Sequence, residues 1–326
     1  AIVVWIQTIA DWGFNLTATR DVAQNRDNKD KVSEIFSNVL WARCLLTIVS
    51  GIILGLVTFC IPYFRENELV IFVTYLLVPG HILFPEWFFQ AIEKMKYTTI
   101  FNLVLKFIFT IAVFIVIKEK NDFIYQPLLT TIGYILFGGC ALYLILGKWG
   151  YDLKKPNLHL IASTIKNSTD VFINNLMPNL YNSFSVMLLG IFGGSIANGV
   201  FDGGNKFVAI FNNLQQVLTR AFYPFLSRRM DKHTLYAKIN IGSSIFGALV
   251  LFAFAPLIVK IMLGPEFTSS ILVMRVLSVS LVFLAISNTY GMSYLIIHHH
   301  EKPLRNITFI SSIIGYSFTV TVSKTF

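Results

Sequence analysis

Residues 100–117, IFNLVLKFIFTIAVFIVI, hold a single charged side chain, Lys106. As an α-helix this run is ~27 Å long, close to the thickness of a bilayer's hydrocarbon core. It is one of ten apolar segments, at about 1–22, 32–63, 68–96, 98–118, 124–147, 163–192, 195–225, 236–263, 267–297 and 303–322. Those near 30 residues must tilt or reach past the hydrocarbon if they are helical. None alternates in polarity as a barrel strand would. Charged residues make up 13% of the 326 and hydrophobic ones 55%, whereas a soluble domain is about one-quarter charged. The expectation is an all-α polytopic membrane protein with about ten visible transmembrane helices. No connecting loop leaves room for a large extramembrane domain.

The basic residues confirm the segmentation independently. The odd-numbered loops carry 17 Lys and Arg, among them Arg20, Arg26, Lys29, Lys94, Lys148 and Arg228, and the even-numbered loops carry 4. Basic loops stay on the cytoplasmic side, so the first segment begins outside. The formal charge of +9 therefore reads as loop bias, and no nucleic-acid partner is expected. Cys44, Cys60 and Cys140 all lie in apolar runs, which argues against a disulfide framework. The chain opens on an apolar run without Met and ends just after another. The expectation is a fragment of a longer protein.

A short internal similarity, EKMKYTTIF (93–101) and EKPLRNITF (301–309), recurs at an offset of 208 residues. It suggests two related bundles, an N-terminal lobe at 1–147 and a C-terminal lobe at 163–326, joined by a basic cytoplasmic linker at 148–162. Internal repeats of this kind are common in transporters.

Polar groups inside apolar helices indicate which face avoids lipid. At 100° per residue, Glu86, Gln90, Glu93 and Tyr97 project on one face of the third segment. Asp202, Lys206, Asn213, Gln216 and Arg220 do so in the seventh. Asn175, Asn179 and Asn182 share a face of the sixth, and Gln7, Asp11 and Asn15 form a shorter stripe in the first. Pro85, Pro178 and the glycines at 190–204 mark bends or helix ends. Arg43, Lys106 and Lys324 read as cations that snorkel to a helix end. Lys206 and Arg275 do not: each needs an anion, water or a ligand. Asn and Gln stripes also serve simply as hydrogen bonds between helices.

No Cys/His metal spacing is present, and the three adjacent histidines His298–His300 cannot all face one ion. No phosphate-binding loop and no serine nucleophile elbow occur. Catalytic residues, metal and cofactor are all expected to be none.

Two stretches, DWGFNLTATRDVAQNRDNKDKVSEIFSNVLWAR (11–43) and PEWFFQAIEKMKYTTIFNLV (85–104), resemble the bacterial O-antigen repeat-unit flippases. These form the polysaccharide-biosynthesis transporter family of the MATE-like MOP superfamily. The order of segments agrees along essentially the whole chain, with Ala91 where such sequences commonly carry Gly. Family members have about twelve helices, so one is expected to be missing at each end. The resemblance implies two six-helix lobes around a cavity open alternately to each side. It implies a flippase moving undecaprenyl-diphosphate-linked O-antigen oligosaccharide across the bacterial inner membrane, in the company of membrane lipid, a polysaccharide polymerase and a chain-length regulator. Lys206, Arg220 and Arg275 would then attract the diphosphate. Asn175, Asn179 and Gln90 would contact sugars. Glu86, Asp11 and Asp202 would carry a coupling proton or pair with the cations. The alternatives are a small-molecule or multidrug antiporter of the same superfamily and a non-transport membrane component of polysaccharide assembly.

Overall fold

The computed structural model describes residues 2–66, 68–119, 122 and 124–323, and within them every regular element is helical. Lys324, read above as a cation at a helix end, lies outside the described residues, as does Lys120, one of the four basic residues of the even-numbered loops. The chain starts with α1 (Ile2–Asp11) and α2 (Phe14–Gln24). They are separated at Trp12 and Gly13, both at positive φ (41° and 77°). Gly13 meets a close approach there: the backbone N of Phe172 lies 3.0 Å from where a Cβ would stand. Trp12 is in a region that disfavours a side chain, and its ring stacks on Phe172 at 4.1 Å while its Nε1–H donates to Thr169.

α3 (Lys29–Cys60) is capped by Asn28, whose Oδ1 accepts the Lys31 N–H at 3.0 Å, with Asp30 in the first turn. Both favour a helix N-terminus. The third apolar segment is not one helix. After α4 (Pro62–Arg65) come α5 (Glu68–Tyr75), α6 (Leu77–Leu83) and α7 (Glu86–Ala91). Pro85 breaks the helix as expected, at φ −81° and ψ 71°. Glu93 then adopts φ 58° before α8 (Met95–Val116) begins. The projected stripe is therefore corrected. Glu86 and Gln90 share α7, Glu93 sits in a turn, and Tyr97 belongs to the next helix.

α9 (Tyr125–Leu142) runs on as a wider π-helical turn to Lys148. α10 (Leu158–Arg228) is broken at Gly194, whose φ of 73° and ψ of −175° lie outside the helix. The chain doubles back there, since Asn198 Nδ2 comes within 2.7 Å of a Cβ position on Gly190. In a straight helix those residues would be ~12 Å apart along the axis. This is the boundary between the sixth and seventh apolar segments. α11 (His233–Met262), α12 (Ser270–Ile286, continuing as π-helix to Leu295) and α13 (Glu301–Ser323) complete the chain.

Among the described residues, each of the ten apolar segments is mainly helical. By length and composition, seven helical stretches among the described residues are suited to crossing a membrane, and the broken α10 is one of them. The first segment falls short because α2, FNLTATRDVAQ, is polar. The last falls short because α13 is rich in Ser and Thr. The protein is a multi-pass, all-α membrane protein.

The chain divides into two compact units, 1–172 and 173–326, at a point later than the linker. Unit 1 packs around aromatics: Phe14, Phe36, Phe84, Trp87, Phe88 and Phe89 are all buried. Phe88 meets Phe36 edge-on at 4.9 Å and Tyr151 at 5.2 Å, while Phe89 meets Trp149 at 5.5 Å. Burying rings of this size dominates core energetics. The aromatic triplet of the PEWFFQ stretch is thus the centre of unit 1. Along α8, by contrast, only Leu105 is buried, and Leu103, Phe107 and Phe114 project outward as a lipid-facing row.

The linker is fastened to α3. Ser33 Oγ accepts the Asp152 N–H at 3.1 Å, and Ser37 Oγ accepts the Lys154 N–H at 2.8 Å and donates to the Asp152 carbonyl at 3.3 Å. Trp41 Nε1 donates to the Lys154 carbonyl at 3.0 Å. Residues 33, 37 and 41 fall on one helix face.

The internal repeat has a structural counterpart in a different register. Ile92, Glu93 and Lys94 donate to Phe88, Gln90 and Phe89. His298, His299 and His300 donate to Tyr294, Ile296 and Leu295 in the same pattern. Glu93 and His299 both take φ 58°. The equivalent turns are 206 residues apart, so the similarity at 208 is two positions out of step with the backbone.

Candidate functional site

Unit 1 encloses a charged cluster. Arg43 lies midway along α3, fourteen residues and ~21 Å from its first turn. Its side chain is 2% exposed and ion-pairs with Asp11, which is 20% exposed. Asn15 Oδ1 lies 3.5 Å from the same guanidinium. The reading of Arg43 as a snorkelling cation is therefore wrong: it is too deep in the helix to reach water, and its partner is supplied by α1. The Arg43 carbonyl accepts from Thr47 Oγ1 at 2.8 Å, and the Thr47 carbonyl accepts from the Tyr75 hydroxyl at 2.5 Å.

His81 of α6 completes the group. Its ring meets Tyr134 edge-on at 5.4 Å, and the charges of Asp11, Arg43 and Glu86 all act on it. Glu86 accepts a hydrogen bond from Asn102 Nδ2 of α8 at 2.8 Å. His81 Nδ1 and Arg43 Nε are buried with no hydrogen-bond partner. Two carboxylates, a guanidinium and an imidazole thus share the interior of one membrane unit. Such a set can hold a proton or exchange a charge partner.

Among the described residues, unit 2 buries amides, hydroxyls and the His233 ring, and no Asp, Glu, Lys or Arg. Gln215 Nε2 donates to Ser243 Oγ at 3.0 Å, and Asn240 Nδ2 donates to Thr289 Oγ1 at 2.9 Å. His233 Nε2 lies 3.1 Å from the Thr289 carbonyl, and the Tyr236 hydroxyl donates to Thr219 at 3.1 Å. Gln215 Oε1, Asn240 Oδ1, Ser244 Oγ and Ser293 Oγ are buried without hydrogen-bond partners.

The residues expected from the sequence fall into two sets. Asp11 and Glu86 belong to the charged cluster of unit 1, and Gln90 is half-buried on α7. Asp202, Lys206 and Arg220 are exposed along the second half of α10. Arg275 has partners other than an acid: its guanidinium lies 5.3 Å over the Phe252 ring, and its Nε donates to the Phe252 carbonyl at 3.2 Å. Asn175 is half-buried and Asn179 exposed, with Asn179 Nδ2 donating back to the Asn175 carbonyl. The buried amide there is the neighbouring Asn174, which accepts from Thr308 Oγ1 at 2.5 Å. Glu93, in the turn after α7, pairs with Arg26 at 2.9 Å. His81, Asn102, Asn174 and Asn240 were missed, and Arg43 was named but misread. Only Arg43 carried a readable signal, its depth within α3.

A multi-pass helical membrane protein with buried charge in one unit defines a class, and the comparisons define the family. The whole chain superposes on an outward-facing multidrug resistance MATE family transporter of the MOP superfamily, with a TM-score of 0.69 at 14% identity, covering 99% of this chain and 86% of that one. A MATE structure in the straight conformation gives 0.66 over the same shares, also at 14%. The fold is therefore that of MATE proteins. Residues 1–230 match the model of the polysaccharide biosynthesis protein family, and the chain belongs to that family. It is 26% identical over 323 residues to the Escherichia coli K12 protein named "Putative O-antigen transporter", covering 97% of this chain and 78% of that protein. A Shigella dysenteriae protein of the same name is 25% identical over 322 residues, covering 96% and 80%.

Proposed function

We propose that the protein is a flippase of the bacterial inner membrane. In this reading it moves undecaprenyl-diphosphate-linked O-antigen oligosaccharide by alternating access and performs no covalent chemistry. The observation that carries this is the similarity, along nearly the full chain, to two proteins named as O-antigen transporters, together with a family whose name places it in polysaccharide biosynthesis. Lobes at 1–147 and 163–326 about the linker 148–162 are the proposed functional division, and a polysaccharide polymerase and chain-length regulator are the proposed neighbours.

The roles follow the chemistry of each side chain. Lys206 and Arg220 offer charge to the diphosphate. Arg275 joins them with its free guanidinium edge while Phe252 supports its face. Asn175, Asn179 and Gln90 offer amides to sugar hydroxyls. Asp11 and Glu86 hold the coupling proton, with His81 within reach of both charges, and Asp202, one helical turn from Lys206, offers it a carboxylate when no diphosphate is bound.

The test is translocation of fluorescent lipid-linked oligosaccharide by the full-length protein in proteoliposomes. Lys206→Ala combined with Arg275→Ala should lower the rate at least about tenfold, equivalent to ~1.4 kcal/mol of lost interaction. A wild-type rate with normal reconstitution would sink the cation assignment. Transport of small cationic drugs in place of the lipid-linked sugar would favour the antiporter reading, and no transport of either would favour an assembly component.

A further inference from the structure

A second charged feature of unit 1 lies away from the buried cluster, at the ends of its membrane helices. Lys94 lies in the turn between α7 and α8, and its Nζ stands 3.9 Å over the Trp149 ring. Lys96 Nζ is 5.4 Å from the Tyr97 ring, and Lys29 Nζ is 5.8 Å from Tyr151. The rings beneath these lysines are anchored in the aromatic core: Tyr97 meets Trp149 at 5.4 Å, Trp149 meets Phe89 at 5.5 Å and Tyr151 meets Phe88 at 5.2 Å. Lys148 ends the π-helical turn after α9.

The cations outnumber their partners. Arg26 is paired with Glu93. Among the described residues, Lys29, Lys94, Lys96 and Lys148 form no ion pair. Asp27 and Asp152 lie in the flanking loops and Asp30 in the first turn of α3; all three are exposed, and among the described residues none forms an ion pair with these lysines. Burial, and then the charges of Arg26, Lys148 and Lys96, lower the Lys94 ammonium from its ordinary value. Like charges held this close are relieved by a bound anion.

The position selects the anion. The patch lies where four stretches suited to crossing a membrane begin or end: Lys29–Cys60, Glu68–Ala91, Met95–Val116 and Tyr125–Lys148. Trp and Tyr settle at the headgroup level, and basic groups on the cytoplasmic side attract anionic lipid. We propose that Lys94, Lys148, Lys96 and Lys29, floored by Trp149, Tyr97 and Tyr151, hold the phosphate of an anionic phospholipid headgroup at the cytoplasmic border of unit 1. Lipid bound here would brace the α7–α8 turn against the linker, and it is independent of the transported substrate.

Native mass spectrometry of the full-length protein, titrated with phosphatidylglycerol or phosphatidylcholine, tests this. Wild type should retain phosphatidylglycerol in preference. Lys94→Gln with Lys148→Gln should weaken that retention about 5-fold for each lysine neutralised. Lys94→Arg with Lys148→Arg should keep it, and so should Lys154→Gln with Lys155→Gln, which removes equal charge from the linker outside the patch. If the first pair fails to fold, the exposed pair Lys29→Gln with Lys96→Gln reads the same loss. Unchanged retention in the patch variants, or equal loss in the linker variant, overturns the proposal. Displacement of the lipid by millimolar inorganic phosphate would assign the patch to free phosphate and overturn the lipid assignment.

Discussion

Unit 1 keeps charge inside. Arg43 is 2% exposed, paired with Asp11, and shares an interior with His81 and Glu86. Unit 2 keeps amides and hydroxyls inside, in the chain Gln215–Ser243 and Asn240–Thr289, and its cations Lys206 and Arg220 are exposed. The difference is one of consequence. A neutral amide that loses its partner still has a modest desolvation cost, while a buried ion that loses its partner is left uncompensated. Unit 1 is therefore intolerant of single changes at its polar core, and unit 2 is the more forgiving.

Arg43→Leu carries the largest expected effect. It strands the Asp11 carboxylate and should cost about 3–5 kcal/mol, read as loss of folded protein in a thermal unfolding assay in detergent. Replacing both Asp11 and Arg43 by apolar residues should restore much of that loss, since no charge is then left alone. Asn240→Leu probes the other unit. It removes the hydrogen bond to Thr289 and should cost about 1–3 kcal/mol. A loss as large as that of Arg43→Leu would erase the contrast. Glu93→Gln lies at the small end. Its pair with Arg26 is one-third exposed on both sides, so it should change stability by no more than about 1 kcal/mol. A larger shift would mean the turn at Glu93 depends on its charge.

The class and the placement of helices were legible because both rest on local quantities. A run such as residues 100–117 must be helical if it lies in lipid, and it is α8. Gly194 in a glycine pair announced the reversal within α10. The polar interior was less legible because it is assembled across elements. Asn240 becomes informative only when Thr289, 49 residues later, is known to face it. Arg43 looked unpartnered because Asp11 is 32 residues away. The stripe of Glu86, Gln90, Glu93 and Tyr97 failed for another reason. A helical projection assumes an unbroken helix, and the positive φ at Glu93 ends it. The motif was still informative, but its aromatic residues, not its acids, form the centre of unit 1.

The fastening of the linker to α3 changes what that segment is for. By composition it is an ordinary basic connector, whose length could drift with little harm. Its carbonyls and amides at 152 and 154 are instead matched to side chains spaced four residues apart on a rigid helix. Deleting one residue before Asp152 would slide the backbone by ~3.4 Å and leave Ser33, Ser37 and Trp41 facing the wrong groups. The segment works as a ruler with a fixed scale, so its sequence can vary between those contacts far more freely than its length.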